Sequence, residues 1–395
     1  MFMSRSLKII IFDGSFKTTP FINRLVQGLS EKHEIYILGF NENVSKRLKN
    51  VVYVPLGSNQ KRVRFVYSSL GFGFRKEGLK GLFKTLRHIF KGERKLLQQE
   101  NLNFALEQIK PDIIHLQWPS VLPWFEEVLL NQEVAVVLSQ RGFHSNVRPF
   151  VNEANFDYLQ QWFPKISGFH SVSKAISAKG DTIYKSANKI DRVVYTGLSL
   201  ANLKFYKEYQ PQERLTILSV GRSHWIKGYD YALQSCKLLK DEGLDFSYTI
   251  IGGAGDEELQ FLIYDLGLAD TVVLKGRMPQ QEVFDCMKNS SVLLMPSIEE
   301  GIPNVVVESM ALGLPVISTN CGGVSELISN GKNGWVVPVR DPRAMADAIR
   351  MFSQTTVEDI LAIREAARKK VEVQHTEEQM VKGMEGLYYE VRNTI

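Results

Sequence analysis

The chain has 395 residues, of which 44% are hydrophobic and 23% are charged, which excludes a disordered chain and favours two globular domains. Its formal net charge of +5 suits an anionic substrate or a membrane surface and does not require nucleic acid. The three cysteines lie too far apart for a zinc site or a disulfide framework, which favours a reducing compartment such as the cytoplasm.

Short apolar runs alternate with longer amphipathic stretches in the first half of the chain, as in the βα units of a parallel sheet. The first run, from Leu7 to Phe12, is too short for a signal sequence or a membrane span and predicts a buried strand. No later run approaches the roughly 18 apolar residues that a transmembrane helix needs. The predicted strands of this half are 8–12, 34–38, 51–54, 113–116, 134–138 and 168–172.

A basic amphipathic segment lies between Lys61 and Lys95. It contains eleven Lys and Arg residues and only two acidic residues. Apolar residues recur there at steps of three and four, which predicts one apolar helix face formed by Leu79, Leu82, Phe83, Leu86, Ile89 and Phe90. Such a helix, near residues 76–95, is typical of docking on an anionic membrane surface, where a lipid-linked acceptor would be met. An ordinary helix whose apolar face packs on its own domain fits the pattern equally well.

The second half of the chain begins after a polar stretch and shows the same alternation of short apolar runs and longer amphipathic stretches. Its predicted strands and helices are 216–220, 229–241, 247–251, 256–266, 272–275, 280–288, 291–295, 304–312 and 316–318. We therefore predict an α/β protein with two Rossmann-like, doubly wound parallel-sheet domains that face a cleft, where ligands bind outside the carboxyl ends of the strands. The predicted boundaries are 1–195 for the first domain, 196–212 for a linker, 213–375 for the second domain, and 376–395 for a C-terminal helix packing back toward the first domain.

A glycine turn followed by two cations comes directly after the predicted strand 216–220. Gly221 begins the turn, and Arg222 and Lys227 lie five residues apart at the predicted carboxyl edge of the sheet. Arginine donates bidentate hydrogen bonds to phosphate oxygens and lysine adds a mobile charge, so the segment suits a diphosphate. Taken alone, it fits a solvated basic turn equally well.

The loop after the predicted strand 291–295 carries two glutamates and leads into a helix that begins near Pro303. Glu300 lies in the loop and Glu308 lies within the first two helical turns, so both side chains can reach one ligand. Because a carboxylate at such an apolar helix start is costly to bury without a partner, ligand binding is favoured over a structural ion pair. The start of the helix would attract an anion through the N–H groups of Ile302, Asn304 and Val305.

These segments resemble the family 4 retaining glycosyltransferases of GT-B fold. GRSHWIKG (221–228) is similar to the family's G-R-x(4)-K-G element, and EEGIPNVVVESMALGLPVISTNCGGVSELI (299–328) is similar to its E-x(7)-E signature with the following G-x-P and G-G-x-x-E pieces. The likeness is strong over about 130 residues, from Gly221 to near Ala348. A weaker likeness in the same order covers PDIIHLQW (111–118), FHSVSKAI (169–176) and VVYTGLSLANLKF (193–205).

The resemblance implies a role for each residue of a donor site. Arg222 and Lys227 would contact the donor diphosphate, Glu300 would hold the donor sugar, and Glu308 would bind the ribose hydroxyls. The catalytic set is therefore Glu300, Arg222 and Lys227. Further donor contacts are implied at Gly221, at Arg277 (near the base, through its backbone), and at Gly301, Ile302, Pro303, Asn304 and Val305.

The implied reaction moves a hexosyl group, with retention, from a nucleotide-sugar donor to a hydroxyl of a saccharide or lipid-linked acceptor. A UDP-sugar is favoured over a GDP-sugar, and the pathway would be cell-surface polysaccharide or glycolipid assembly. Preorganised positive charge would stabilise the departing diphosphate. The chain has no Asp-x-Asp pair, so a metal-free enzyme without a cofactor is predicted. It would be cytoplasmic, or peripheral on the inner face of the cell membrane.

Acceptor-binding candidates in the first half are Gly14, Arg141 and His144. Many relatives carry a histidine directly before the glycine at 142, whereas this chain has Arg141 there and His144 two residues after that glycine. Either side chain could face the cleft, and a structural or solvated role for His144 fits as well. His115 lies within an apolar strand and is predicted to be a hydrogen-bonded core residue.

The same sequence pattern fits two other functions. A nucleotide-sugar epimerase on the same scaffold would release product without an acceptor. A non-catalytic protein that binds sugar nucleotides would bind the donor without turnover. Retention of both cations and both glutamates favours the transferase over either alternative.

Overall fold

The computed structural model describes residues 5–44, 47–59, 61–206, 209 and 212–394. The chain divides into two compact units, of which the first comprises Met1–Val172, Ser177–Gly197 and Glu377–Ile395 and the second comprises Ser173–Ile176 and Leu198–Thr376. The predicted linker, 196–212, lies partly outside the described residues, at 207, 208, 210 and 211.

The first unit is built on a seven-stranded sheet in which every strand pairs in parallel with its neighbours. Its strand order is β3-β2-β1-β4-β5-β6-β7. The central strands are buried on both faces, because parallel sheets are covered by helices on each side. The strands are β1 (Lys8–Ser15), β2 (Glu34–Asn41), β3 (Val51–Pro55), β4 (Ile113–Leu116), β5 (Ala135–Gln140), β6 (Gly168–Ser171) and β7 (Asp191–Val193).

Helices alternate with these strands along the chain. The first three residues of the eighth helix are assigned to the second unit. The helices are α1 (Pro20–Leu29), α2 (Arg62–Phe90), α3 (Arg94–Ile109), α4 (Glu126–Asn131), α5 (Phe143–Asn146), α6 (Arg148–Val151), α7 (Glu153–Trp162) and α8 (Lys174–Ile183).

Helix α2 consists of two helical segments folded against each other. The backbone leaves the helical conformation at Glu77 and Gly78, and Gly78 has a φ of +59°. Gly73 and Gly81 then meet across the fold, since a Cβ added to Gly81 would lie 2.0 Å from the carbonyl oxygen of Gly73. In a straight helix the same two residues would be about 12 Å apart. Small side chains therefore line the contact, with Thr85 buried beside it, and the large apolar side chains point elsewhere.

The second unit is built on a six-stranded parallel sheet of order β10-β9-β8-β11-β12-β13. Its strands are β8 (Leu215–Val220), β9 (Phe246–Ile251), β10 (Val272–Lys275), β11 (Val292–Met295), β12 (Val316–Thr319) and β13 (Trp335–Val337). Its helices are α9 (Tyr229–Asp241), α10 (Glu257–Asp265), α11 (Gln280–Lys288), α12 (Asn304–Leu312), α13 (Val324–Leu327), α14 (Pro342–Ser353) and α15 (Val357–Gln374).

The last helix, α16 (Glu377–Arg392), belongs to the first unit. Met384, Leu387, Tyr388 and Val391 of this helix are 0% exposed and lie in a core with the apolar residues of β1 and α1. The Tyr388 hydroxyl also lies 2.7 Å from Nδ1 of His115. Helix α16 is therefore an internal part of the first unit's core.

The predicted α/β fold class is confirmed, and each predicted strand is present. Two short strands, β7 and β13, were not predicted. His115 is buried and hydrogen-bonded on both ring nitrogens, to Tyr388 and to Ser139, as expected of a core residue. Within the described ranges, none of the helices has the length and apolar character needed to cross a membrane.

Candidate functional site

The candidate donor site lies where the strand order of the second sheet reverses. Strands β8 and β11 are neighbours in the sheet, and the chain winds outward in opposite directions from them. In doubly wound sheets, ligands bind at this point, outside the carboxyl ends of the two strands. The two segments singled out in the sequence, 221–228 and 296–308, follow β8 and β11 directly.

These two loops are held together by backbone contacts. The Ile298 N–H donates to the carbonyl oxygen of Ile226 at 2.7 Å. Gly228 has a φ of +63°, and a Cβ at this position would lie 2.2 Å from the carbonyl oxygen of Pro296. Only glycine meets both conditions. The glycine that closes the first loop therefore allows the second loop to lie directly against it.

The contact brings Lys227 and Glu300 together. The Lys227 Nζ lies 2.5 Å from Oε1 of Glu300, and the Ser297 hydroxyl donates to the same oxygen at 3.0 Å. The two side chains are 22% and 17% exposed. Because an isolated charge is costly at this degree of burial, each compensates the other in the absence of a ligand.

The pair of glycines at 322 and 323 lies directly behind this loop. Gly322 has a φ of +50°, and a Cβ there would lie 1.7 Å from the carbonyl oxygen of Glu300. The Gly323 N–H donates to the carbonyl oxygen of Gly301 at 3.0 Å. These contacts fix the backbone on which Glu300 is carried. The sequence showed the glycine pair but not which loop it supports.

Helix α12 begins at this loop, and its first turn has no side-chain cap. Pro303 is its N-cap residue and provides no side-chain cap, and the first N–H groups of a helix have no partner within the helix. The Oδ1 atom of Asn304 is buried and has no hydrogen-bond partner among the described residues. Gly301 and Ile302 are buried beside it, and Val305 is partly exposed. The start of α12 thus offers N–H donors and one acceptor to a ligand.

Glu308 lies on α12 next to α11. Its Oε1 accepts a hydrogen bond from Nε2 of Gln280 at 3.1 Å. Gln280 is the first residue of α11 and follows the loop that carries Arg277, whose side chain is exposed. The structure therefore brings Glu308 close to the first residue of α11, which follows the Arg277 loop.

The loop after β8 presents its cations on different sides. Arg222 is exposed, whereas Lys227 is engaged with Glu300. His224 lies between them, and its pKa is lowered by burial and by the charges of Arg222 and Lys227. The Gly221 carbonyl accepts a hydrogen bond from the Tyr229 hydroxyl at 3.1 Å. This edge of the sheet therefore carries two cations, one of which is paired with Glu300, and a neutral imidazole lies between them in the sequence.

Glu326, in the helix after the glycine pair, binds backbone in the same unit. Its two carboxylate oxygens accept the N–H groups of Lys174 and Ala175, each at 3.0 Å. This carboxylate therefore binds the backbone of residues 173–176, which belong to the second unit.

The acceptor candidates all lie at the carboxyl edge of the first sheet. Gly14 has a φ of +85° at a register shift in β1. Arg141 follows β5 and is only 8% exposed, so its side chain is buried and does not face open solvent. His144 is partly exposed, with its ring centroid 6.4 Å from that of Trp118. Sequence reasoning missed Trp118, although the resemblance covered its segment.

The geometry describes an anion-binding edge with one well-placed carboxylate. Within the described ranges, no group of three or more His, Cys, Asp or Glu side chains is arranged to hold a metal ion. Positive charge comes from Arg222, Lys227 and the start of α12. Such a site can hold a diphosphate and can direct Glu300 and Glu308 toward hydroxyl groups on either side of it.

Comparison with known proteins agrees with this geometry. Residues 203–370 match the family model described as "Glycosyl transferases group 1". The amylovoran biosynthesis glycosyltransferase AmsK of Erwinia amylovora is 39% identical over 167 residues, which are 40% of this chain and 41% of that protein. WcaL of Escherichia coli, named as a colanic acid biosynthesis glycosyltransferase, is 38% identical over 169 residues, which are 41% of this chain and 42% of that protein. The match thus spans about two fifths of each relative's length.

Solved structures extend the similarity to nearly the whole chain. The crystal structure of Anabaena Alr3699/HepE in complex with UDP and glucose superposes with a TM-score of 0.73, covering 97% of this chain and 100% of that one. The sequence identity is 14%, so this likeness shows the fold alone. The predicted GT-B type of fold is confirmed by it.

Proposed function

We propose that the protein is a retaining glycosyltransferase, because residues 203–370 match the family model of the glycosyl transferases group 1. It moves a hexosyl group from a nucleotide diphosphate sugar to an acceptor hydroxyl in the assembly of a polysaccharide or glycolipid. The second unit binds the donor and the first unit binds the acceptor. The names of the two bacterial relatives support the polysaccharide pathway, and the UDP held by the Anabaena structure supports a UDP-sugar.

One observation carries the proposal. At the strand reversal of the second sheet, Lys227 and Glu300 are 2.5 Å apart beside the uncapped start of α12. A diphosphate that enters this edge provides a stronger partner for Lys227 than one carboxylate does, because it carries more charge. Glu300 is then released to accept hydrogen bonds from the donor sugar.

The same residues account for the chemistry. As the bond between sugar and diphosphate breaks, negative charge grows on the leaving group, and Arg222, Lys227 and the N–H groups of α12 stabilise it. The acceptor hydroxyl attacks from the face that the diphosphate leaves, which retains the anomeric configuration, and its proton passes to an oxygen of the departing diphosphate. Glu308 binds the ribose, and the backbone near Arg277 lies beside the base. No step of this scheme requires a metal ion.

Nucleotide binding gives the first test. We expect UDP-sugars to stabilise the full chain in a thermal shift assay more than GDP-sugars do, and a ligand at 100 times its dissociation constant adds about 2.7 kcal/mol. Nuclear magnetic resonance of the transfer product should then show the donor's anomeric configuration. Release of an epimerised nucleotide sugar without an acceptor would identify an epimerase instead. Binding without turnover on any hydroxyl acceptor would identify a non-catalytic binding protein.

A specific observation on α2 favours docking on an anionic membrane. Leu79, Phe83 and Phe90 of its second segment are 67%, 68% and 88% exposed. Leu82, Leu86 and Ile89 of the same predicted face are partly buried, so the structure covers this face only in part. Exposed basic residues flank the three exposed apolar residues along the same segment, at Lys80, Lys84, Arg87 and Lys91. An acidic lipid surface complements both the charge and the apolar face.

Flotation with liposomes tests this docking. We expect binding to vesicles that contain acidic lipid and little binding to neutral ones, since each Lys or Arg near an acidic leaflet contributes about 1 kcal/mol. Arg87→Glu with Lys91→Glu should weaken binding at least thirtyfold, as roughly 2 kcal/mol or more is lost. The matched control is Lys332→Glu with Lys369→Glu, two exposed lysines of the second unit, which should bind normally. Equal binding to neutral and acidic vesicles would rule the docking out.

A further inference from the structure

A buried cation that forms no ion pair with an acidic side chain of the described residues lies at the carboxyl edge of the first sheet. Arg141 is 8% exposed. Its Nη2 donates to Oε1 of Gln117 at 3.3 Å and lies 3.5 Å from Nδ1 of His170. Its Nε has no hydrogen-bond partner among the described residues. The guanidinium group is therefore hydrogen-bonded on one side only.

The groups around Arg141 are neutral. The pKa of His170 is lowered to about 3 by burial and by the charge of Arg141, and the pKa of His115 is lowered by burial. Burial also lowers the pKa of Arg141 to about 9, so the guanidinium remains charged at neutral pH. Asp13, at the end of β1, is engaged elsewhere, because its carboxylate accepts the Ser15 N–H at 2.8 Å. A buried charge of this kind is costly unless something compensates it.

The guanidinium group stacks on a residue of an uncapped helix start. Its Cζ lies 4.5 Å from the centre of the Phe21 ring, and Phe21 is the second residue of α1. The N-cap residue of this helix, Thr19, makes no side-chain capping hydrogen bond, and its buried Oγ1 has no partner among the described residues. The N–H groups of an uncapped first turn carry partial positive charge. Phe21 therefore connects the guanidinium group to the uncapped start of α1.

Two aromatic side chains lie against each other beside Arg141. The rings of Phe21 and Trp118 meet edge to face with centroids 6.3 Å apart, and the Trp118 ring neighbours His144. Phe21 and Trp118 are both partly exposed. Aromatic faces of this kind pack against the apolar face of a sugar ring, and His144 offers a hydrogen-bonding group beside them.

We propose that Arg141 and the first turn of α1 bind an anionic group carried by the acceptor, next to a sugar ring that rests on Phe21 and Trp118. The inference rests on the proposed function and specifies its acceptor class. The anion is a carboxylate or a phosphate, since both match the planar fork of the guanidinium group. Acceptors that lack an anion leave this charge uncompensated and bind more weakly.

Acceptor kinetics with paired compounds test the proposal. The pairs are a methyl glucuronide against the methyl glucoside, and a sugar phosphate against the unphosphorylated sugar. For wild type we expect the anionic member of at least one pair to have the lower KM, and the better pair identifies carboxylate or phosphate. Arg141→Met should raise that KM roughly ten- to a hundredfold, as expected for a lost charge-assisted contact. The neutral acceptor and the donor dissociation constant should be unchanged.

Controls separate this site from a structural role and from the proposed function itself. Arg148→Met removes an exposed charge seven residues away in sequence and should leave all KM values unchanged. With UDP present to occupy the donor site, inorganic phosphate or glucuronate should raise the Tm of wild type and not that of Arg141→Met. Arg141→Met without ligand should be at least as stable as wild type, because the buried charge is uncompensated. A large loss of stability, or equal loss with anionic and neutral acceptors, would overturn the proposal. Absence of nucleotide-sugar binding by wild type would instead count against the glycosyltransferase assignment.

Discussion

Glu300→Gln is expected to lower kcat roughly a hundredfold or more while leaving UDP affinity unchanged or slightly higher. The carboxylate is placed to contact the donor sugar, so its loss removes an interaction that strengthens as the sugar becomes cationic. Lys227, which lies 2.5 Å from Glu300, is then freed for the diphosphate. Steady-state kinetics and UDP calorimetry on the same preparation measure the two effects.

Two further variants serve as comparisons for Glu300→Gln. Glu299→Gln makes the same substitution at the adjacent glutamate, and this variant should keep most of the activity. Glu308→Gln should weaken UDP binding itself, by about 1.5–3 kcal/mol for a charged hydrogen bond, because this residue is assigned to the ribose. If Glu300→Gln lost UDP affinity and turnover in equal measure, the assignment of Glu300 to the sugar would be wrong.

Lys227→Met and Arg222→Met should each lower kcat/KM roughly ten- to a hundredfold, the effect of losing one charge-assisted contact with phosphate. The two cations differ in their surroundings, however. Lys227 is paired with Glu300, whereas Arg222 is exposed. Lys227→Met therefore leaves a partly buried carboxylate without its cation, and part of the loss comes from this charge.

A double-mutant cycle separates the two contributions. Combining Lys227→Met with Glu300→Gln should cost less than the sum of the single changes, because residues in contact are coupled. Arg222→Met with Glu300→Gln should be nearly additive. Activity of wild type should also survive excess chelator if the cations do the work of a metal. Loss of activity in EDTA with rescue by magnesium or manganese would contradict this assignment.

The second sheet was predictable because its signals are local. Helix α12 begins at Asn304 after a proline and ends at Leu312 before Gly313, as the sequence predicted, since proline and glycine mark those ends through their own backbone preferences. The strands β7 and β13 were missed because each has three residues, too few to show a period. Pairing with a neighbouring strand, which is not visible in the sequence, decides their existence.

Three features of the sites depended on long-range contacts and could not be predicted. The Lys227–Glu300 pair forms because Gly228 fits against Pro296, a contact between segments nearly 70 residues apart. The burial of Arg141 depends on neighbours from β4, β6 and α1. Helix α2 was predicted as one amphipathic stretch. The sequence alone does not show whether a glycine lies inside a straight helix or, like Gly78, reverses the direction of the chain.

Helix α16 completes the core of the first unit only after the second unit has been synthesised. During synthesis, the whole of Leu198–Thr376 leaves the ribosome before α16 does. At usual rates of translation this takes roughly 10–40 s. Throughout that interval, the residues that α16 covers, among them Leu7 and Ile9, are without their apolar partner. The nascent chain is therefore most prone to aggregation, and most in need of a chaperone, after its first sheet has been made and before its last helix has appeared.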